Sequence, residues 1–126
     1  MQLFIKVMLI AAGIIHVLPV PGVISAAHLE RLYGLPFNEP NLVILMRHRA
    51  VIFGLLGVFL IYAAFRNDLV WIAMVGGIVS AAAFIWLAWS AGSYNDAIAR
   101  VVIADVVAIA CLAVAVVCQA FSTQQP

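Results

Sequence analysis

The stretch NLVILMRHRAVIFGLLGVFLIYAAFR, residues 41–66, decides how the rest of the chain is read. It is apolar over a length that crosses a bilayer, which takes roughly 20 residues. Yet Arg47, His48 and Arg49 stand within its first third. Ionisable groups in a spanning helix are costly, so each needs a partner, water or a function.

The composition extends this reading to the whole chain. Its 126 residues are 67% hydrophobic and 9% charged, with a mean hydropathy of +1.22. Soluble domains carry about 25% charged residues, so this chain has too few to solvate its surface. It reads as one integral membrane domain over residues 1–126. The net charge is +1, and without a basic run or a stacking-aromatic pattern no nucleic-acid partner is expected. Cys111 and Cys118 lie ~10 Å apart along one predicted helix, beyond disulfide reach.

Working outward, the periodicity predicts an all-α fold, a four-helix transmembrane bundle. The spans are expected at about 3–18, 41–65, 69–89 and 97–120, with an amphipathic helix inside the 23–40 connection. Lys6, the apolar run after it and Ser25-Ala26-Ala27 imitate a signal peptide, but the segment is read as the first span. Pro19-Val20-Pro21-Gly22 stops that span. In the connection, Ile24, Leu29, Leu32 and Tyr33 are expected in the membrane interface, with Glu30 and Arg31 in water. Gly34 ends this helix. Trp71 at one end of span three and Trp86 and Trp89 at the other form an aromatic-belt pattern. Small residues mark helix contacts: Gly76-Gly77 with Ser80 and Ala81 in span three, and Ala104, Ala108, Cys111, Ala115 and Cys118 in span four. Asp96 is the expected N-cap of span four, and Arg100 its expected i, i+4 partner. The polar tail 121–126 is expected to fray.

Alternating spans gather the polar residues at one end. His16, Arg47, His48, Arg49, Trp86, Trp89, Arg100 and Asp105 fall in the half away from the termini, under the 23–40 connection. At ~100° per residue, Arg47 shares a face with Ala50, Gly54, Gly57 and Ile61, and Arg49 with Phe53, Leu56 and Leu60. The small face is read as inward, so Arg47 is expected to pair with Asp105, while Arg49 snorkels to headgroups. The Arg47–Asp105 pair either locks the bundle or lines a ligand or proton site. His16 and His48 on separate helices meet the minimum for a b-haem, against the commoner alternative of hydrogen-bonded histidines. The candidate ligand-binding set is His16, Arg47, His48, Asp105, Tyr33 and Trp86, with no metal site. Trp86 and Tyr33 also fit as interface anchors. No nucleophile elbow, zinc-protease motif, P-loop or dinucleotide fingerprint is present.

Three stretches carry a resemblance: Gly13-Ile-Ile-His16-Val-Leu-Pro, His28-Leu-Glu-Arg-Leu-Tyr-Gly34 and residues 41–54. With Gly92-Ser-Tyr-Asn95 and Arg100-Val-Val-Ile-Ala-Asp105, they cover nearly the whole chain. The chain resembles a group of small bacterial four-span membrane proteins. Some of these carry the label phosphopantetheine adenylyltransferase, which does not fit: that soluble α/β enzyme has an H-x-G-H-type nucleotide motif, and this chain lacks it. More distantly, the chain is similar to DoxX-like four-helix membrane proteins. The resemblance implies a fold and a bacterial inner membrane, not an activity.

Three functions follow as expectations. The leading one is a non-enzymatic bundle that binds a small amphipathic or lipidic molecule in a polar pocket on the non-terminal side. The alternatives are an accessory subunit or assembly factor, in a homo-oligomer or larger membrane complex, and a membrane enzyme acting on a quinone or lipid. The termini are expected on one side. Counting Arg47 and Arg100 makes the opposite side cytoplasmic, and omitting them leaves the two sides nearly tied.

Overall fold

The computed structural model describes residues 1–124. The helices are α1 (Gln2–Val17), α2 (Ala26–Tyr33), α3 (Pro40–Ala63), α4 (Val70–Ala91) and α5 (Asp96–Thr123), with a 3-10 turn at Val20–Val23. Four segments are long and apolar enough to cross a membrane: α1 with its 3-10 turn, α3, α4 and α5. Large apolar side chains such as Leu3, Leu45, Leu55, Ile72 and Val117 are exposed around the outside. The bundle therefore presents a hydrocarbon-compatible surface, and the protein is a multi-pass, four-span membrane protein. Of the 121–126 tail, residues up to Thr123 continue α5, and Gln125 and Pro126 lie outside the described residues.

The ends of the helices follow from local chemistry. Ser25 Oγ accepts from the His28 N–H and caps α2, and Glu39 accepts from the N–H groups of Asn41 and Leu42 and caps α3. α5 is capped by Asn95 rather than Asp96: Asn95 Oδ1 accepts from the Ile98 N–H at 2.8 Å, and Asp96 is the first helical residue. Asn95 wins because its amide has two uses. Its Nδ2 donates to the carbonyl of Tyr33 at 2.9 Å, tying the end of α2 to the start of α5. Gly34 ends α2 at φ 66, a left-handed conformation that side chains resist. Glu30 then accepts from the Phe37 N–H at 3.1 Å and folds the following segment back.

α1 packs against α3 and α5, and α4 packs against α5 and α3. The spans thus follow one another around a ring, with α3 and α5 on a diagonal. Lys6 lies 5.9 Å from the ring of Phe65, so the start of α1 meets the end of α3 and the neighbours run antiparallel. α1 and α3 cross at Gly13 and Gly57. A Cβ built on Gly57 would stand 2.7 Å from the Gly13 carbonyl oxygen, closer than real contacts allow. Such close crossing is how helices associate where lipid removes the hydrophobic drive.

The main core lies in the half that holds the termini. Ile5, Leu9, Leu60, Met74 and Leu112 are fully buried there, with Ala12, Ala63, Ala73 and Ala115 filling the closest approaches. Of the small residues expected at contacts, Gly77, Ala81, Ala108 and Ala115 are buried, and Gly76, Ser80, Ala104, Cys111 and Cys118 are half-buried. A second cluster of Leu29, Tyr33 and Phe37 seats α2 on the other end of the bundle. Of the residues expected in the interface, Leu29 and Tyr33 face protein instead, Leu32 packs against them, and Ile24, ahead of α2, is exposed.

Candidate functional site

The end of α1, the starts of α3 and α5, and α2 enclose a cavity of about 340 Å³. Its walls are mostly aliphatic, from residues such as Ile15, Leu32 and Val101, with His16 and Asp105 at its buried end. Leu18, Arg31 and Arg100 are exposed and line it too, so they mark its mouth.

His16 is held by its own helix. Its Nδ1 lies 2.8 Å from the carbonyl oxygen of Ala12, one turn back. A carbonyl only accepts, so Nδ1 is the donor, and in the corresponding neutral tautomer Nε2 is an acceptor. His16 is 2% exposed, and its Nε2 has no protein partner. Asp105 is 5% exposed, and its Oδ2 also has no protein partner. Buried polar atoms are nearly always satisfied, and an orphan costs about 1–3 kcal/mol. Two orphans on one cavity are the feature that marks this site. Among the described residues the only ion pair is Arg66–Asp68, at the opposite end of the bundle, so His16 and Asp105 do not close on each other.

The cation at this site is Arg49. It lies half-buried on the wall of the cavity that Asp105 borders, whereas Arg31 and Arg100 are exposed at the mouth. Three rings surround its guanidinium, with centroids 5.4 Å (Tyr33), 4.7 Å (Phe53) and 5.2 Å (Phe84) away. Nη1 donates to the Tyr33 hydroxyl at 2.8 Å. Ring faces and one hydroxyl thus replace part of the water that a guanidinium loses inside a bundle. Phe53 also packs 6.0 Å from the His16 ring, so one aromatic wall orients both polar groups. Arg49 and Tyr33 are shared with a second, almost wholly apolar cavity of about 310 Å³, walled by Phe37, Met46, Phe84 and Leu87. They form the partition between the two.

Several sequence expectations are corrected here. Arg47 does not pair with Asp105. It is exposed, and its Nε donates to the Val23 carbonyl at 2.7 Å, fastening the 3-10 turn to α3. The small face of α3 does pack inward, but against α1 and the 3-10 turn rather than toward Asp105: Gly57 meets Gly13, and Gly54 lies against Val20. That contact is too close for a long side chain to pass through. The face carrying Phe53 and Leu60 points to the axis, and it takes Arg49 with it. Arg49 therefore does not snorkel to headgroups.

His48 is exposed and lies on none of these cavities, so it is not brought to His16, and the two-histidine haem arrangement does not form. Trp86 is 63% exposed and points outward with Trp89, consistent with belt anchors rather than ligand contacts. Arg100 does not pair with Asp96 but lines the cavity. His16, Tyr33 and Asp105 are the predicted site residues that the fold brings together. Sequence reasoning missed Arg49, although its i+4 and i+11 neighbours Phe53 and Leu60 form a large-residue stripe that could have identified the core face.

With one carboxyl, one bare imidazole nitrogen and ring-held arginine, the site supplies hydrogen bonding and charge. Among the described residues no three His, Cys, Asp or Glu side chains cluster as a chelate would need. Compared with protein-family models, curated proteins and solved structures, the chain has no match that identifies a relative.

Proposed function

We propose that this protein binds a small amphipathic or lipidic molecule in the cavity beneath α2, at the non-terminal end of the bundle. One observation carries the reading: two buried polar atoms without protein partners, His16 Nε2 and Asp105 Oδ2, border the same cavity. The volume of about 340 Å³ lies at the small end of the range typical of ligand sites. Mostly apolar walls with a few convergent polar groups fit a molecule with an apolar body and a polar head. The mouth at Leu18, Arg31 and Arg100 lies where a membrane-dissolved molecule would enter near the headgroups. The bacterial resemblance supports the inner membrane as its location. Native mass spectrometry of the protein released from native-lipid nanodiscs tests the reading. A bound small molecule in the wild-type protein that is lost in His16→Phe supports it. A ligand-free mass, together with no thermal stabilisation by added amphiphiles, overturns it.

A further inference from the structure

We infer that the buried end of this cavity selects an uncharged hydroxyl head, so that the ligand class is a neutral amphiphilic alcohol or phenol. This rests on the reading of the cavity as a ligand site and specifies its chemistry. At the buried end, the Nδ1–H bond to Ala12 leaves His16 Nε2 as an acceptor, and Asp105 Oδ2 has no partner. The atoms awaiting a ligand therefore call for a donor hydrogen. An ammonium head supplies hydrogens and suits Asp105, but Arg49 stands half-buried on the same wall and repels it, and Arg31 and Arg100 line the mouth it would pass. A carboxylate or phosphate suits the arginines, but at the buried end it would meet the Asp105 carboxylate and the His16 lone pair. Arg49 and Asp105 line the same cavity, so a cation and a carboxyl already face that space and a charged head of either sign meets a like charge there. A hydroxyl carries one donor and two acceptor positions. It can donate to a bare atom, accept from a cation or acid beside it, and be desolvated more cheaply than an ion. The aliphatic wall of Ile15, Leu32 and Val101 covers its apolar body.

The test uses the full chain in phosphatidylcholine nanodiscs and four probes of equal chain length: n-decanol, n-decane, decylammonium and decanoate. Two quantities are read, thermal stabilisation at equal membrane concentration and the 15N shift of His16 Nε2. The expected result is that n-decanol binds about tenfold more tightly than the other three, the worth of one well-made buried hydrogen bond. It alone moves the Nε2 resonance toward a hydrogen-bonded acceptor. In His16→Phe the preference for decanol falls about tenfold. If that variant does not fold, the wild-type nitrogen shift decides alone. Equal or tighter binding of decane, decylammonium or decanoate overturns the hydroxyl assignment and leaves the ligand-site reading standing. Binding by none of the four, with no nitrogen shift, overturns both.

Discussion

The two halves of the bundle are built from the same helices and pack in opposite ways. In the half that holds the termini, α1 and α3 close to backbone contact at Gly13 and Gly57, and Leu9, Leu60, Met74 and Leu112 leave no exposed core surface. In the other half, α2 is wedged onto the bundle through Leu29, Tyr33 and Phe37, and two cavities remain on either side of Arg49 and Tyr33. The first half contributes stability through van der Waals contact, the main attraction left between helices in lipid. The second half bears orphaned polar atoms that cost stability. Proteins commonly place such costs at functional sites and offset them with rigid packing elsewhere.

The contrast is broken most forcefully at the helix crossing. Gly57→Val forces side-chain atoms into the Gly13 carbonyl and the Val17 side chain. It should destabilise the protein by about 3 kcal/mol, the upper end for overpacking. Thermal unfolding in nanodiscs measures this, and a variant as stable as wild type would remove the crossing from its central role.

The next effect separates the two arginines. Arg49→Ala removes the partition between the cavities and the half-buried cation on the wall that Asp105 shares. It should lower the affinity for n-decanol about tenfold. Arg47→Ala loses an exposed bond to Val23, so it should cost about 1 kcal/mol of stability and leave affinity unchanged. A matched loss of affinity in both variants would mean that the open half acts as one structural unit rather than as a site with a support.

The smallest effect sits at the cap of α3, outside the spans. The Asn41 N–H and then the Leu42 N–H hold the Glu39 carboxyl below its ordinary value of 4.5. Because folding lowers this pKa, the contribution of the cap is present above 4.5 and is lost as pH falls through the lowered value. Glu39→Gln should flatten that acid-side decline in melting temperature without changing the neutral-pH cavity. A wild-type melting curve with no acid-side dependence on residue 39 would show that this end of α3 is held by packing alone.

Much of the closed half was legible in the sequence. Spans, their order around short turns, and small-residue stripes such as Ala108 and Ala115 follow from hydropathy and helical spacing. The gathering of His16, Tyr33 and Asp105 at one end followed from alternation of direction alone. The face of α3 did not. A stripe of small residues announces close approach, but it does not say which neighbour approaches. The neighbour is α1, so the stripe with Arg47 turns away from the axis and the one with Arg49 turns toward it. Nor does local sequence favour Asn95 over Asp96 as the cap of α5, since the second bond of Asn95, to the Tyr33 carbonyl, reaches 62 residues along the chain.

The sequence by itself determined four helices of membrane-crossing length and the end of the bundle at which His16, Tyr33 and Asp105 gather, because helix rise and hydropathy act locally on each segment. Only the tertiary structure decided which arginine of residues 41–66 meets Asp105's cavity. That choice depends on the rotation of α3 about its own axis, which is set by the backbone contact at Gly13 and Gly57 and is shared between two helices.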